Sequence, residues 1–188
     1  MAIIFSNEIC QLHPPKCGGR SITAALNDHT PDEGPVYDGH AHSLPSKWDY
    51  PVMFTTVREP AAWLRSFWSH RKRNRWGVNG NKMQKTPYAH LVRMTDPHRS
   101  DDFDRFADSV TANLGGIIGW FFGVYSPPPV QVVKIEMIAP FLEKLGVNRK
   151  NIVRLGASPN LPKITESTRG KIVEAEMATY LRYGYLTE

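Results

Sequence analysis

The chain has 188 residues, a formal net charge of +5 and a sequence pI of about 9.3. This length suits one domain over residues 1–188, and 41% hydrophobic residues exclude a disordered or collagen-like chain. Two cysteines are too few for a disulfide scaffold, and no apolar stretch reaches the roughly 18–20 residues that span a membrane. We therefore expect a cytoplasmic protein whose mild basic excess favours an anionic partner.

The first part of the chain predicts two strand–helix pairs joined by a long loop. Apolar β-rich runs favour buried strands, and apolar residues spaced three to four apart favour helices. The loop is rich in Pro, Gly, Asp and His, and a loop of this length inside a compact domain is usually functional. In chain order we expect a strand at 9–13, a helix at 19–28, the loop at 30–50, a strand at 52–57 and a helix from residue 60.

The remainder predicts more helices and two further strands. We expect helices at 86–94, 101–110, 113–125, 136–145 and 165–183, and strands at 130–135 and 151–155. Strands that alternate with helices indicate an α/β fold, with a small central parallel sheet in three α/β/α layers. Ligands of such sheets bind at the carboxyl ends of the strands.

The segment HPPKCGGRS, residues 13–21, follows the first predicted strand and has the residue types of a phosphate-binding loop. The common GxxxxGK[ST] loop places its lysine after the glycines, whereas here Lys16 precedes Gly18 and Gly19. Glycines let the backbone approach an anion, and the N-terminus of the next helix favours negative charge. Lys16 adds a cation, and Ser21 adds a hydroxyl donor. The alternative is a tight turn with a surface lysine.

A second segment, TTVREPAAWLRSFW at residues 55–68, joins the strand at 52–57 to the next helix. Arg58 ends this strand, where its guanidinium can bind a phosphate through two hydrogen bonds. Ser66, on the helix, can add a hydroxyl. The alternatives are a surface salt bridge from Arg58 to Glu59 or another acid, and a packing role for Ser66.

Together these segments resemble the sulfotransferases that use 3′-phosphoadenosine 5′-phosphosulfate (PAPS). The likeness consists of a strand followed by PKxGGxS, and of a later strand ending in V-R-[DE]-P with a serine eight residues after the arginine. The resemblance implies a P-loop-like sulfotransferase fold and transfer of a sulfuryl group from PAPS to an acceptor hydroxyl, on a carbohydrate or a small molecule, by in-line displacement. It implies 3′-phosphoadenosine 5′-phosphate (PAP) as the product and no required metal. Residues 132–147, VVKIEMIAPFLEKLGV, are also similar to a strand–helix segment of the family.

The resemblance implies two anion sites and a role for Lys16 at the bridging oxygen and the leaving phosphate. The residues of the 5′-phosphosulfate loop are Pro15, Lys16, Cys17, Gly18, Gly19, Arg20 and Ser21, and those of the 3′-phosphate site are Arg58 and Ser66. The chain departs from the family at Cys17 and Arg20, where threonine is usual, and at Trp63, where arginine is usual. Arg65 is the candidate substitute for that arginine.

Sulfuryl transfer needs a base for the acceptor's proton, and histidine suits this role near neutral pH. His40 is the first candidate, because it lies between the two phosphate segments and some family members use a histidine in a comparable place. His42 is the second candidate, and Glu33 and Asp38 are the carboxylate alternatives. We expect His13 to orient the loop rather than take part in the reaction.

The run SHRKRNRW, residues 69–76, is basic and has aromatic flanks. It can contact an acidic acceptor such as an acidic carbohydrate, bind nucleic acid, or end a helix with cations that the helix dipole favours. Two other functions stay open: a nucleotide or small-molecule kinase, with Glu136 as its metal-binding acid, and a non-catalytic nucleic-acid-binding module. The chain is short for the family, so a homodimer is one way to complete the acceptor side.

Overall fold

The computed structural model describes residues 2–5, 9–29, 35–38, 49–76, 86–152 and 161–186, and for residues 2 and 35–38 it describes the backbone alone. The chain divides into two compact units. The first unit contains Met1–Arg58 and Val124–Ala157, and the second contains Glu59–Gly123 and Ser158–Glu188. The single domain expected over the whole chain stays a prediction.

The first unit is built on a five-stranded mixed sheet in the order β3-β1-β2-β4-β5. Its strands are β1 (Ala2–Phe5), β2 (Ile9–Leu12), β3 (Pro35–Asp38), β4 (Val52–Val57) and β5 (Gln131–Lys134). β2 and β5 each pair in parallel with β4, whereas β1 pairs antiparallel with both β2 and β3. The carboxyl ends of β2, β4 and β5 therefore lie along one edge of the sheet.

The α/β class and these three parallel strands are confirmed, but the expectation of a purely parallel sheet is wrong. The antiparallel strands β1 and β3 were not predicted, and β3 lies in the segment expected to be a long loop. β1 is a run of only four residues, and β3 begins with a proline, so neither carries a strong strand signal. Their pairing depends on the neighbouring strand more than on local propensity.

Eight α-helices lie within the described ranges, and none of them is long and apolar enough to cross a membrane. They are α1 (Gly19–His29), α2 (Pro60–Arg73), α3 (Pro87–Thr95), α4 (Phe103–Asn113), α5 (Ile117–Val124), α6 (Ile138–Lys144), α7 (Glu166–Ala175) and α8 (Met177–Arg182). Short 3-10 helices occur at Asp96–His98, Ile135–Met137 and Arg149–Asn151.

Most predicted helices are confirmed within a few residues; two helices and one strand differ from the expectation. The helix expected at 113–125 begins only at Ile117, because a turn with Gly116 in the left-handed region follows α4. The helix expected at 165–183 is divided at Glu176 into α7 and α8. The strand expected at 151–155 begins inside a 3-10 helix, and residues 153–155 lie outside the described ranges.

One face of the sheet carries the core of the first unit, against α1 and α6. The buried members of this cluster are Ile3, Phe5, Ile9, Ile22, Ala25, Leu26, Phe54, Val133, Leu142 and Val147. The predicted apolar face of α1 is thereby confirmed. Burying such a side chain contributes about 1.5–3 kcal/mol to the free energy of folding. The buried face of α1 therefore holds this helix against the sheet directly after the loop.

The second unit is helical and has an aromatic centre. Trp63 of α2 is fully buried, and its ring centroid lies 5.3, 5.4 and 5.7 Å from those of Phe67, Phe121 and Phe122. These rings join α2 to α5. Trp63 thus has a packing role, which explains an apolar residue at a position where the resembled family has an arginine.

A buried carboxylate explains the division between α7 and α8. Glu176 accepts hydrogen bonds from the N–H groups of Ile118 and Gly119, at 2.9 and 3.0 Å, and from the Thr179 hydroxyl at 2.7 Å. Burial raises the pKa of Glu176, and the hydrogen bonds from these groups act in the opposite direction. The side chain satisfies donors at the start of α5 that a helix cannot satisfy itself.

Gln11 interrupts the apolar core of the sheet. It lies on β2, opposite Ile3 of β1 and Phe54 of β4, and its side chain is fully buried. Neither polar atom of its amide has a hydrogen-bond partner within the described residues. An unpaired buried amide costs about 1–3 kcal/mol.

We expect Gln11→Leu to raise the free energy of unfolding by about 1–2 kcal/mol, because leucine occupies a similar volume without an unpaired polar group. Urea denaturation followed by circular dichroism measures this change. Gln131→Leu, at an exposed position of β5, is the control and should change stability little. A destabilised Gln11→Leu variant would contradict the interpretation of the amide as unpaired.

Candidate anion-binding site

The loop between β2 and α1 has two residues in the left-handed backbone region. Lys16 has φ 70° and Gly18 has φ 79°, while Cys17 between them is outside that region. Glycine adopts this conformation freely, but a non-glycine residue there costs about 1–3 kcal/mol, and such strain concentrates at functional sites. Alternation of right-handed and left-handed residues turns successive backbone N–H groups into an anion-binding concavity.

The first turn of α1 adds further donors. The N–H groups of Ser21 and Ile22 both donate to the Gly18 carbonyl, at 3.0 and 3.2 Å, and so begin the helix. Those of Gly19 and Arg20 have no acceptor among the described residues, as is usual for a first helical turn. With the helix dipole, they favour an anion in front of the loop.

Both glycines of the loop are required by close contacts. A Cβ at Gly19 would overlap the ring of His13, and a Cβ at Gly18 would overlap Cδ1 of Ile135. Burial lowers the pKa of His13 to about 4, so the imidazole is neutral at pH 7. Its position against the start of α1 fits the expected role in orienting the loop.

The end of β4 holds the loop from one side. The Thr56 hydroxyl donates to the Cys17 carbonyl at 2.7 Å, and both residues are buried. Arg58, just after β4, donates a long hydrogen bond of 3.5 Å to the Lys16 carbonyl. Arg58 forms no salt bridge with any described residue, so the expected alternative of a salt bridge to Glu59 is wrong.

Charged side chains surround the buried Cys17 thiol. Burial raises the pKa of this thiol far above its usual range; Arg58 and Lys16 act in the opposite direction, and Glu136 acts in the same direction as burial. Lys16, Arg58 and Glu136 therefore all lie near the loop. Because the Cys17 side chain is fully buried, this residue can bind a ligand only through its backbone.

The structure brings together the predicted loop and one residue of the predicted second site. The loop residues 15–21 and Arg58 all belong to the first unit. Ser66 belongs to the second unit, where it is buried on α2. Its action together with Arg58 stays a prediction. Arg65 donates to the Pro162 carbonyl at 3.0 Å, and its role as a substitute for the family arginine is likewise untested.

The predicted bases are not described in enough detail to place them. His40, His42 and Glu33 lie outside the described residues, and only the backbone of Asp38 is described, at the end of β3. Thr56 was missed by the sequence analysis. Its signal was a pair of threonines inside an otherwise apolar buried strand.

The basic run at the end of α2 divides into buried and exposed cations. Arg71 is buried and pairs with Asp96 at 3.0 Å, whereas Lys72 and Arg75 are exposed. The flanking aromatic rings have partners in the second unit: Trp68 donates to the Ser100 carbonyl at 2.8 Å, and Trp76 packs on Phe106 with centroids 5.6 Å apart. Trp68 is buried and therefore offers no free face on which a nucleic-acid base can stack, whereas Trp76 is half-buried.

Comparison with protein-family models, curated proteins and solved structures finds no match to this chain. Within the described ranges, no three His, Cys, Asp or Glu side chains are grouped so that they could hold a metal ion. A functional assignment therefore depends on the loop, on Arg58 and on the charges around them.

We expect Gly19→Ala to lower the free energy of unfolding by about 1–3 kcal/mol, because the new methyl group must displace the buried His13 ring. Gly170→Ala is the matched control, since a Cβ there meets nothing within 4 Å and lies inside α7. The control should gain about 0.5–1 kcal/mol from higher helix propensity. Urea denaturation measures both, and equal stability of the two variants would contradict the close packing of the loop.

Proposed function

We propose that this protein is a PAPS-dependent sulfotransferase that transfers a sulfuryl group to an acceptor hydroxyl, with a three-layer, P-loop-like fold. The observation that carries the proposal is the conformation of the loop after β2, where Lys16 and Gly18 are left-handed at the carboxyl end of a parallel strand. Arg58 beside the Lys16 carbonyl supports it, and so does the order of the two sequence segments.

The loop has the groups that a 5′-phosphosulfate requires. The N–H groups of Gly19 and Arg20 and the hydroxyl of Ser21 would hold the 5′-phosphate. When bound, PAPS supplies the sulfuryl group and is released as PAP. Lys16 would supply a cation to the oxygen that bridges phosphorus and sulfur, where negative charge would grow as the bond breaks. This charge is larger in the transition state than in the ground state, so Lys16 contributes mainly to the rate.

Arg58 and Ser66 are the proposed ligands of the 3′-phosphate, and His40 or His42 is the proposed base. A guanidinium at a strand end offers two parallel donors to a phosphate, which a lysine cannot do. The base would take the proton of the acceptor hydroxyl as the oxygen attacks sulfur. Glu33 and Asp38 are the alternatives for this step.

An acidic carbohydrate is the proposed acceptor, because the excess positive charge of the chain is concentrated in one region, residues 69–99. Residues 69–99 hold eight Lys and Arg and one Asp, whereas the rest of the chain holds fifteen Lys and Arg and seventeen Asp and Glu. Lys72, Arg75 and Arg99 of this region are exposed. Such a surface attracts a polyanion. The burial of Trp68 favours a carbohydrate over a single-stranded nucleic acid, whose bases need an exposed ring for stacking. A homodimer and a cytoplasmic location stay predictions.

Calorimetric titration with PAP and AMP tests the proposal, since these ligands differ only in the 3′-phosphate. We expect PAP to bind at least about tenfold more tightly, as one charge-assisted phosphate contact would allow. Arg58→Ala should remove this preference, and because its hydrogen bond to the Lys16 carbonyl is long, at 3.5 Å, it should weaken AMP binding much less than PAP binding. Lys16→Ala should lower the affinity for PAP and for AMP by the same factor, because Lys16 acts at the 5′-phosphate that both ligands share.

Lys144→Ala is the control, since it removes one exposed cation from α6 in the same unit. It should leave both affinities within about twofold of the original protein. Magnesium-dependent preference for ATP would favour a kinase instead. Salt-sensitive binding of DNA or RNA without nucleotide binding would favour the nucleic-acid module. Equal weakening of PAP and AMP by Arg58→Ala would place this arginine at the 5′ end and contradict the two-site arrangement.

A further inference from the structure

Three parallel strands bring charged residues to the same edge of the sheet. The loop with Lys16 follows β2, and Arg58 directly follows β4. Glu136 is the second residue after the end of β5. Ligands of parallel sheets bind at this edge. Glu136 is therefore a carboxylate near an edge where Lys16, Arg58 and Lys134, the last residue of β5, supply positive charge.

The end of β5 lies directly against the loop. Ile135, next to Glu136, packs so closely on Gly18 that a Cβ at Gly18 would overlap its side chain. The Glu136 carboxylate is exposed in the 3-10 helix that begins at Ile135, and it acts electrostatically on the buried Cys17. The contact of Ile135 places the start of this 3-10 helix beside the loop, and the effect on Cys17 agrees with a Glu136 carboxylate close to the loop.

A carboxylate in that place opposes every anion that the loop binds, and it does so in proportion to the charge of the ligand. The repulsion between two unit charges about 4–8 Å apart is about 0.5–1 kcal/mol in bulk water and about 2–4 kcal/mol at the effective dielectric constant of about 20 near a protein surface, so an exposed carboxylate acts toward the lower end of this range. A terminal sulfate carries one negative charge, whereas a terminal phosphate carries about two at neutral pH. The two groups have almost the same size and shape, so charge is the property by which a site can tell them apart.

We propose that Glu136 is a specificity-determining residue of the loop, which selects a terminal sulfate over a terminal phosphate by charge repulsion. This inference rests on the proposed function and adds to it a reason why the loop prefers PAPS to nucleotide diphosphates and triphosphates. Lys16 and Arg58 provide attraction for both ligand types, and Glu136 removes more of that attraction from the more highly charged one.

The test compares two matched ligands, PAPS and 3′-phosphoadenosine 5′-diphosphate, which differ only in a terminal sulfate or phosphate. Calorimetry without divalent cations gives the ratio of their affinities. We expect the original protein to prefer PAPS, and Glu136→Gln to reduce this preference about three- to tenfold, mostly by tightening the diphosphate. The change should shrink in about 1 M salt, where the Debye length is about 3 Å.

Glu143→Gln is the matched control. It removes a carboxylate from α6 in the same unit, where Glu143 pairs with Arg149 at 3.4 Å, and it should leave the preference unchanged. Thermal unfolding of both variants shows whether the fold is retained. Glu136→Asp retains the charge and should retain the preference for PAPS.

Three results would overturn the inference while leaving the proposed function in place, because in each the protein still binds PAPS. One is an unchanged ratio in Glu136→Gln. Another is equal weakening of both ligands with a lower melting temperature, which is the sign of a structural role. The third is tighter binding of the diphosphate in the presence of Mg²⁺ that is lost in Glu136→Gln. That result would assign the carboxylate to metal binding. Failure of the original protein to bind PAPS, PAP or the diphosphate would instead overturn the proposed function.

Discussion

The candidate site depends on one buried hydrogen bond, from the Thr56 hydroxyl of β4 to the Cys17 carbonyl of the loop. A carbonyl buried without this donor would cost about 1–3 kcal/mol, so the bond fixes the middle of the loop against the neighbouring strand. Lys16 and Gly18 on either side then remain in the left-handed region. A lysine alone has no reason to adopt that conformation. The left-handed conformation of Lys16 is thus supported by the sheet rather than by the loop alone.

Steric contacts and charge act on the same few residues. His13 and Ile135 leave no room for a side chain at Gly19 or Gly18, which lets an anion approach the backbone closely. Positive and negative side chains both lie near the loop: Lys16 and Arg58 are cations, and Glu136 is a carboxylate. In the proposed site the cations would give affinity, and the Glu136 carboxylate after β5 would limit it. A site of this kind can favour a ligand of intermediate charge over one of higher charge, which attraction alone cannot do.

In the second unit, Glu59 fixes the helix that carries Ser66. Its Oε2 accepts from the Ala62 N–H at 2.6 Å at the start of α2, and its Oε1 accepts from the Tyr180 hydroxyl at 2.5 Å and from Arg169 at 2.7 Å. One side chain therefore caps α2 and ties it to α7 and α8. Removal of such a cap usually costs about 0.5–2 kcal/mol. The orientation of Ser66 depends on these contacts within its own unit.

The sequence by itself determined the parallel strands, the two glycines before α1 and the proline that opens α2, because these depend on local apolar runs and on backbone freedom that single residues confer. It also indicated Lys16 and Arg58, since cations after strand ends are a local pattern. Tertiary structure alone decided the antiparallel strands β1 and β3, the break at Glu176, the partner of Thr56 and the place of Glu136. Each of these depends on groups distant in the chain, such as Glu176 and Ile118. Pairing of that kind is decided by packing, which local propensity does not encode.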